Sequence, residues 1–370
     1  MRWHGNRTGE RWTFRRVRWP SMEEAEDYWQ VTGGSAKDSA FTDLKSSGAI
    51  DFKGATVPDG NDAVRVYYGF TDSTDADYEE PVITGFLNIG DAEHNGALVT
   101  GSADISGMLV VLSDTGPGYP VTIAAGAAAV AEAERIAKDL SLRVSAAPSS
   151  YKLGKVHTFD ADTTWLAIVN WLLDVAGFSS AYTDAWGTVQ MQPYVEPTER
   201  TPSWTFRDDE TSFFKPGVKT SDNRADTPNV VRLWYEDDNR GLFAEARNDD
   251  PRSQSSTVVR GREKLLCETV DELAGDTTAT MLTSLIDEAG KRLRDNSTRI
   301  EYVDVPCLFA PVQINDSVEL DYTAAGLSTI GSVTTRDVDF SRGAPTTVRT
   351  RRMLRPDFNV TKSGRVAWNA

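Results

Sequence analysis

Asn229-Val-Val-Arg-Leu-Trp-Tyr235 opens a stretch, Pro228 to Met353, whose order of elements decides how the chain is read. Its β-branched and aromatic residues favour a strand. The charged turn Glu236-Asp-Asp-Asn-Arg-Gly241 follows, then Asn248-Asp-Asp-Pro251 and a loop rich in Ser, Gln and Thr. Leu282, Leu285, Ile286, Ala289 and Leu293 then recur at helical spacing and predict a helix over 277–294, capped by Asp276 or Thr277. Thr298-Arg-Ile-Glu-Tyr-Val-Asp-Val305 returns as a strand, and Ile314-Asn-Asp-Ser-Val-Glu-Leu-Asp-Tyr322 supplies a turn and an alternating strand. This order builds a shape and sets up no bond-breaking chemistry.

Upstream, Ala63-Val-Arg-Val-Tyr-Tyr-Gly-Phe70 and Pro81-Val-Ile-Thr-Gly-Phe-Leu-Asn-Ile89 predict strands around the polar loop Asp72–Asp77. That loop lacks the glycine and closing glutamate of a calcium-binding hand, so it predicts a solvated turn. Leu98 to Leu112 closes the β-rich unit, and Thr115-Gly-Pro-Gly-Tyr-Pro120 marks a boundary. Ala124 to Leu140 predicts a helix with Val130, Ala133, Ala137 and Leu140 on one face. A second helix starts at Asp162 or Thr163, carries Leu166, Val169, Leu172 and Leu173 as its stripe, and stops at Gly177. Ala181 to Tyr194 predicts a hairpin turning at Asp184-Ala-Trp-Gly187, and Glu196 to Pro202 a linker. Trp204 to Phe214 resumes irregular or strand structure. The fold class is mainly β with an α/β insertion. Its parts are a basic arm or first strand (1–40), an N-terminal β unit (41–120), the insertion (121–195), linker and return strands (196–228), a second β unit (229–353) and an extended tail (354–370).

A net charge of −16 argues against a sequence-independent grip on nucleic acid, which needs a basic surface. The first twenty residues run against this, with Arg2, Arg7, Arg11, Arg15, Arg16 and Arg18 among Trp3, Trp12, Phe14 and Trp19. Glu23, Glu24, Glu26 and Asp27 follow directly. The segment is either a docking arm for an acidic partner or a first strand, Arg11 to Trp19, with one solvated face. Cys267 and Cys307 are too few for a disulfide framework; one bridge or two buried free thiols are the options. The longest apolar run, Trp165 to Phe178, is broken by Asn170 and Asp174, so no membrane span is expected. The charged N-terminus lacks the apolar core of a signal peptide.

No catalytic, cofactor-binding or metal-binding residues are expected. His4, His94 and His157 have no paired spacing, and Gly116-Pro-Gly118 lacks the lysine and hydroxyl of a phosphate cradle. Neither a serine elbow nor a metalloprotease helix is present. The remaining enzymatic option is a carboxylate pair of glycosidase type; the tryptophans, Trp186 and Trp204 in particular, would alternatively serve a carbohydrate- or receptor-binding module.

Against this background the chain resembles the phage tail hub family, which includes the late control D proteins, the baseplate hubs of contractile phages and the hub minor tail proteins of siphophages. The likeness is carried by Thr163-Thr-Trp-Leu166, Leu172-Leu-Asp-Val-Ala-Gly177, Asp184-Ala-Trp-Gly187 with Gln192-Pro-Tyr194, and Thr227-Pro-Asn-Val230. It continues in Asn248-Asp-Asp-Pro251 with Ser253, Ser255 and Ser256, in Pro311 with Asn315-Asp-Ser-Val318, and in Thr347-Val-Arg-Thr-Arg-Arg-Met353. It covers roughly 40–353. The resemblance implies two β-barrel-like hub domains flanking the small α/β domain, and a homotrimer at the virion tail tip. It further implies contacts to a distal tail protein or tail tube, a tape measure protein and other tip or fibre proteins, and a passage for DNA. Three copies at −16 each would bring −48 charges, suited to DNA sliding without sticking.

Overall fold

The computed structural model describes residues 7–28, 31–58, 60–72, 76–195, 197–209, 215, 217–223, 225–270, 277–297, 299–323, 326–354 and 358–369. Arg2, Trp3, His4, loop positions 73–75, Glu196, Phe214, the alternative cap Asp276 and Thr298 lie outside them. The chain forms two compact units: Met1–Lys219 with Asp304–Thr350, and Thr220–Val303 with Arg351–Ala370.

The first unit starts with β1 (Thr8–Arg18), β2 (Glu23–Asp27), β3 (Val31–Ser39), β4 (Ser46–Gly54), β5 (Ala63–Thr71), β6 (Asp77–Asn95) and β7 (Leu98–Gly107). They lie antiparallel in the order β3-β4-β7-β6-β5-β1-β2. The basic opening is therefore a strand inside a sheet. β5 shows how alternation is used here. Val64, Val66, Tyr68 and Phe70 face one core with Phe14, Ile50, Phe52 and Ile105, while Ala63 faces a second core made by the insertion. Every residue from Ala63 to Phe70 is buried.

The insertion runs through α1 (Val110–Ser113), β8 (Val121–Ile123), α2 (Ala129–Asp139), β9 (Val144–Ala146), β10 (His157–Phe159), α3 (Trp165–Val175), β11 (Tyr182–Thr183) and β12 (Val189–Met191). The strand expected to reach Leu112 stops at Gly107, because Met108, Leu109 and Leu112 turn helically into the core with α3. The Ala-rich helix begins only at Ala129, after positive-φ Gly126 (+84°). α3 begins at Trp165, one turn position later than expected: Thr164, not Asp162 or Thr163, accepts the Ala167 N–H at 3.3 Å. Leu166, Ile168, Val169, Leu172 and Leu173 are buried, each contributing about 1.5–3 kcal/mol of transfer free energy. Gly177 ends the helix at φ +74°, which a side chain resists.

After β13 (Trp204–Arg207), β14 (Lys219–Asp222) leads into the second unit. There β15 (Val230–Asp237), the expected strand, pairs across the charged turn with β16 (Arg240–Asn248), a strand not expected from the sequence, followed by α4 (Thr257–Arg260), β17 (Leu265–Thr269) and α5 (Thr278–Asn296). Thr277 caps α5 reciprocally with Thr280. Met281, Leu285, Ala289 and Leu293 bury against Val231, Leu233, Leu242, Ala244 and Ala246 of the sheet. β18 (Arg299–Cys307) leaves this unit, and β19 (Ser317–Tyr322), β20 (Leu327–Asp339) and β21 (Thr346–Leu354) follow.

Two expectations are corrected here. Residues 304–350 belong with the first unit instead of completing a second one with 229–303. β20 pairs with β3 over Thr335–Asp339, and Phe309, Val338 and Phe340 enter the core of Phe14 and Phe52. The tail expected at 354–370 contains β22 (Val360–Asn369), paired antiparallel with β16 and completing the order β17-β15-β16-β22. β22 was hidden because its residues are mostly exposed and Gly364 must stay small: a Cβ there would sit 2.6 Å from Ile286 Cγ1.

Candidate functional site

Two of the three histidines, His94 and His157, lie among the described residues. His94 is exposed on β6, and His157 stacks on Trp171 at 4.1 Å, beside Phe159. Among the described residues no group of His, Cys, Asp and Glu could hold a metal ion. Cys267 and Cys307 are both free thiols; Cys307 is buried and Cys267 is exposed, against the expectation of two buried thiols. Burial pushes the Cys307 thiol up to about 12, which makes it an inert core group. No helix among the described residues is long and apolar enough to cross a membrane.

The charged groups of the first unit instead form a brace around Arg65, which is 2% exposed. Its guanidinium donates to Glu24 Oε1 at 2.6 Å, to Thr84 Oγ1 at 2.9 Å and to the Trp186 carbonyl at 3.0 Å. Thr84 in turn donates to the Ala185 carbonyl at 2.7 Å. The hairpin tip of the insertion is thus bolted by its backbone to β5 and β6. Gly187, at φ +79°, lets the tip come this close, since a Cβ there would meet Met108 Cγ and Thr84 Cγ2 at 3.0 Å. Asp184 holds the turn internally, accepting from the Thr188 N–H at 2.8 Å and from Gln190 Nε2 at 2.9 Å.

Three of the acids after the basic opening, Glu24, Glu26 and Asp27, are its own partners. Arg15 reaches Glu79 at 2.6 Å and Glu24 at 3.3 Å, with its guanidinium 4.5 Å from the Tyr67 ring centre. Arg16 reaches Asp62 at 2.6 Å and Glu26 at 2.9 Å. Burial alone would raise the Glu24 carboxyl; the hydrogen bonds from Tyr67 and Arg65 and the charges of Arg65 and Arg15 outweigh it and hold it below the ordinary carboxylate value. For Arg15 and Arg16 the strand reading holds and the free docking arm does not.

A second bolt joins the returning strands to the first sheet. Arg336, 2% exposed, reaches Asp38 Oδ2 at 2.6 Å and the Val82 carbonyl at 2.7 Å. Nearby chemistry centres on Asp316. Its carboxyl accepts the Gln313 N–H at 2.9 Å, and burial raises it above its ordinary value despite that bond, the hydrogen bond with Ser203 and the charges of Arg336 and Arg200. Burial, followed by the charge of Asp316, raises Tyr182 to about 12.

The quoted short motifs prove to be staples in turns. Asn229 and Asn248 are fully buried. Asn229 accepts the Lys264 N–H at 2.7 Å and donates to the Arg262 carbonyl at 3.0 Å. Asn248 donates to Ser253 Oγ at 2.9 Å, Asp250 engages Arg252 at 2.7 Å, and Ser256 caps α4. Asn315 takes φ +67° in the turn before β19. For the carbohydrate reading, Trp186 is 46% exposed, but Trp204 is 8% exposed and packs edge-on against Phe206, so it offers no open ring face.

No protein-family profile and no curated protein matches the sequence. Solved structures do match its fold. A tail protein from Neisseria meningitidis MC58 aligns at TM-score 0.56 and 15% identity, over 93% of this chain and 96% of that one. The 43 kDa tail protein of prophage MuSo2 from Shewanella oneidensis aligns at TM-score 0.60 and 12% identity, over 93% and 98%. A chain of a Francisella PdpA–VgrG complex aligns at TM-score 0.56 and 9% identity, over 96% of this chain and 60% of that one. The chain therefore has the mainly β fold of these tail proteins over 93% of its length.

Proposed function

We propose that this protein is a structural component of a phage-type tail, acting as the hub at its tip. Three copies form a ring that joins the tail tube or distal tail ring to the tip and leaves a passage for DNA. The supporting observation is that the fold likeness to tail proteins spans both units and nearly the full length of both chains. The architecture agrees: its conspicuous buried polar groups, Arg65 and Arg336, lock segments together. Acidity suits the passage, because a net charge of −16 per copy repels the DNA backbone.

The test is copy number and position in purified particles. Quantitative mass spectrometry against a tail-tube standard is expected to give three copies per particle, and gold-labelled antibody is expected to mark one tail end. Labelling along the whole tail, or absence from purified particles, overturns the hub assignment.

A further inference from the structure

We propose that an open groove in the second unit receives an extended, acidic segment of a partner protein by strand addition. The groove has a volume of about 790 Å³, within the ~300–1,000 Å³ range of ligand sites. One wall is β14, with Thr220, Ser221 and Asp222; the other carries Gln254, Arg260 and Arg262. β14 is the terminal strand of its sheet, so its outer edge has no ladder partner among the described residues, and all four of its residues are exposed. An unpaired edge is a template for another strand.

The other side chains that line the groove select the ligand. Arg260 is held in place by donating to the Thr227 carbonyl at 2.8 Å. Two carboxylates line the groove, Asp222 on β14 and Glu301, and Glu301 is hydrogen-bonded by Arg352. Arg262 is different: its guanidinium makes no ion pair or hydrogen bond among the described residues, although its own carbonyl is fixed by Asn229. Gly261, at φ +63°, turns the chain so that Arg260 and Arg262 both line the wall. Gln254 adds an exposed amide able to donate to and accept from a peptide backbone. An extended segment would therefore satisfy β14 with its backbone and Arg262 with a carboxylate, a pairing for which the planar guanidinium fork is suited.

The experiment uses the full chain and a panel of fluorescein-labelled, end-blocked hexapeptides that alternate valine with Glu, Gln or Lys. Fluorescence anisotropy is expected to rank Glu above Gln above Lys, and Arg262→Glu is expected to weaken the Glu peptide at least tenfold and reverse the ranking. Hydrogen exchange of the complex is expected to slow at residues 220–222. Arg262 is exposed, so the variant folds; near-identical circular dichroism confirms it. The proposal is overturned if no peptide binds, if the ranking survives Arg262→Glu, or if protection appears elsewhere. The groove does not depend on the hub assignment: copy number in particles can fail while the peptide ranking holds, and the reverse.

Discussion

Replacing Arg65 with alanine tests whether the insertion is locked to the sheet by a buried polar brace. The side chain is 2% exposed and makes three hydrogen bonds, one of them to a carboxylate. Breaking a buried ion pair costs about 3–5 kcal/mol, because the surviving partner is left desolvated. Two facts place this case at the low end: the Glu24 side chain is 31% exposed, and it keeps Tyr67 and Arg15 as donors. The Trp186 carbonyl loses its donor, and Thr84 keeps its bond to Ala185. The expected loss is thus about 3 kcal/mol, or a fall in Tm of roughly 6–12 °C at ~2–4 °C per kcal/mol for a large domain. Calorimetry reads the total. Hydrogen exchange localises it: amides of 182–191 are expected to exchange faster while those of α3 hold. Arg65→Lys is expected to recover only part of the loss, since an ammonium cannot span three partners in the same fork geometry. A loss below about 1 kcal/mol, the range of an exposed pair, or unchanged exchange at 182–191, would refute the brace.

Three further outcomes are expected. Leu285→Ala, fully buried between α5 and its sheet, is expected to lower stability by about 2–5 kcal/mol in urea titrations; a loss under 1 kcal/mol contradicts the packing. Thr277→Ala removes one half of the α5 capping box and is expected to cost about 0.5–2 kcal/mol, with Thr277→Ser retaining most of it. Asp316 has a raised value in the folded state, so the folded chain binds a proton that the unfolded chain releases, and stability falls as pH rises through the folded value. Asp316→Asn is expected to flatten that slope in urea midpoints from pH 4 to 8 and to be no less stable than the parent at pH 7; a clear loss at pH 7 contradicts the assignment.

How far the fold could be read in advance follows from the range of the forces that set it. α5 was legible because its stripe, Leu282 to Leu293, and its cap, Thr277, are local signals, and the helix buries one face against one sheet. β5 was legible as a strand, but its burial on both faces was not, since the cover over Ala63 comes from an insertion more than forty residues downstream. The division into units escaped for the same reason. The hydrophobic pattern of 304–350 says only that these residues form strands, whereas their pairing with β3 and the Arg336–Asp38 contact join residues 298 positions apart. A period-2 pattern carries no address.

The polar sites were hidden by a related ambiguity in charge. Arg15, Arg16, Arg65 and Arg336 look alike in a sequence, and so do the acids around them, yet two of these arginines are buried bolts and two lie in half-exposed clusters. Arg65 and Trp186 lie 121 positions apart, and the contact runs to a backbone carbonyl, which no residue type advertises. Arg262 is the converse case. It stands in a run of charges, Arg260 to Lys264, where Glu263 pairs with Arg232 and Arg247, and Lys264 lies 3.8 Å from Asp226. What distinguishes Arg262 is only the groove that it lines together with β14, the strand that ends its sheet. A charge becomes a candidate site when folding leaves it opposite unpaired backbone, and that depends on which strand ends the sheet.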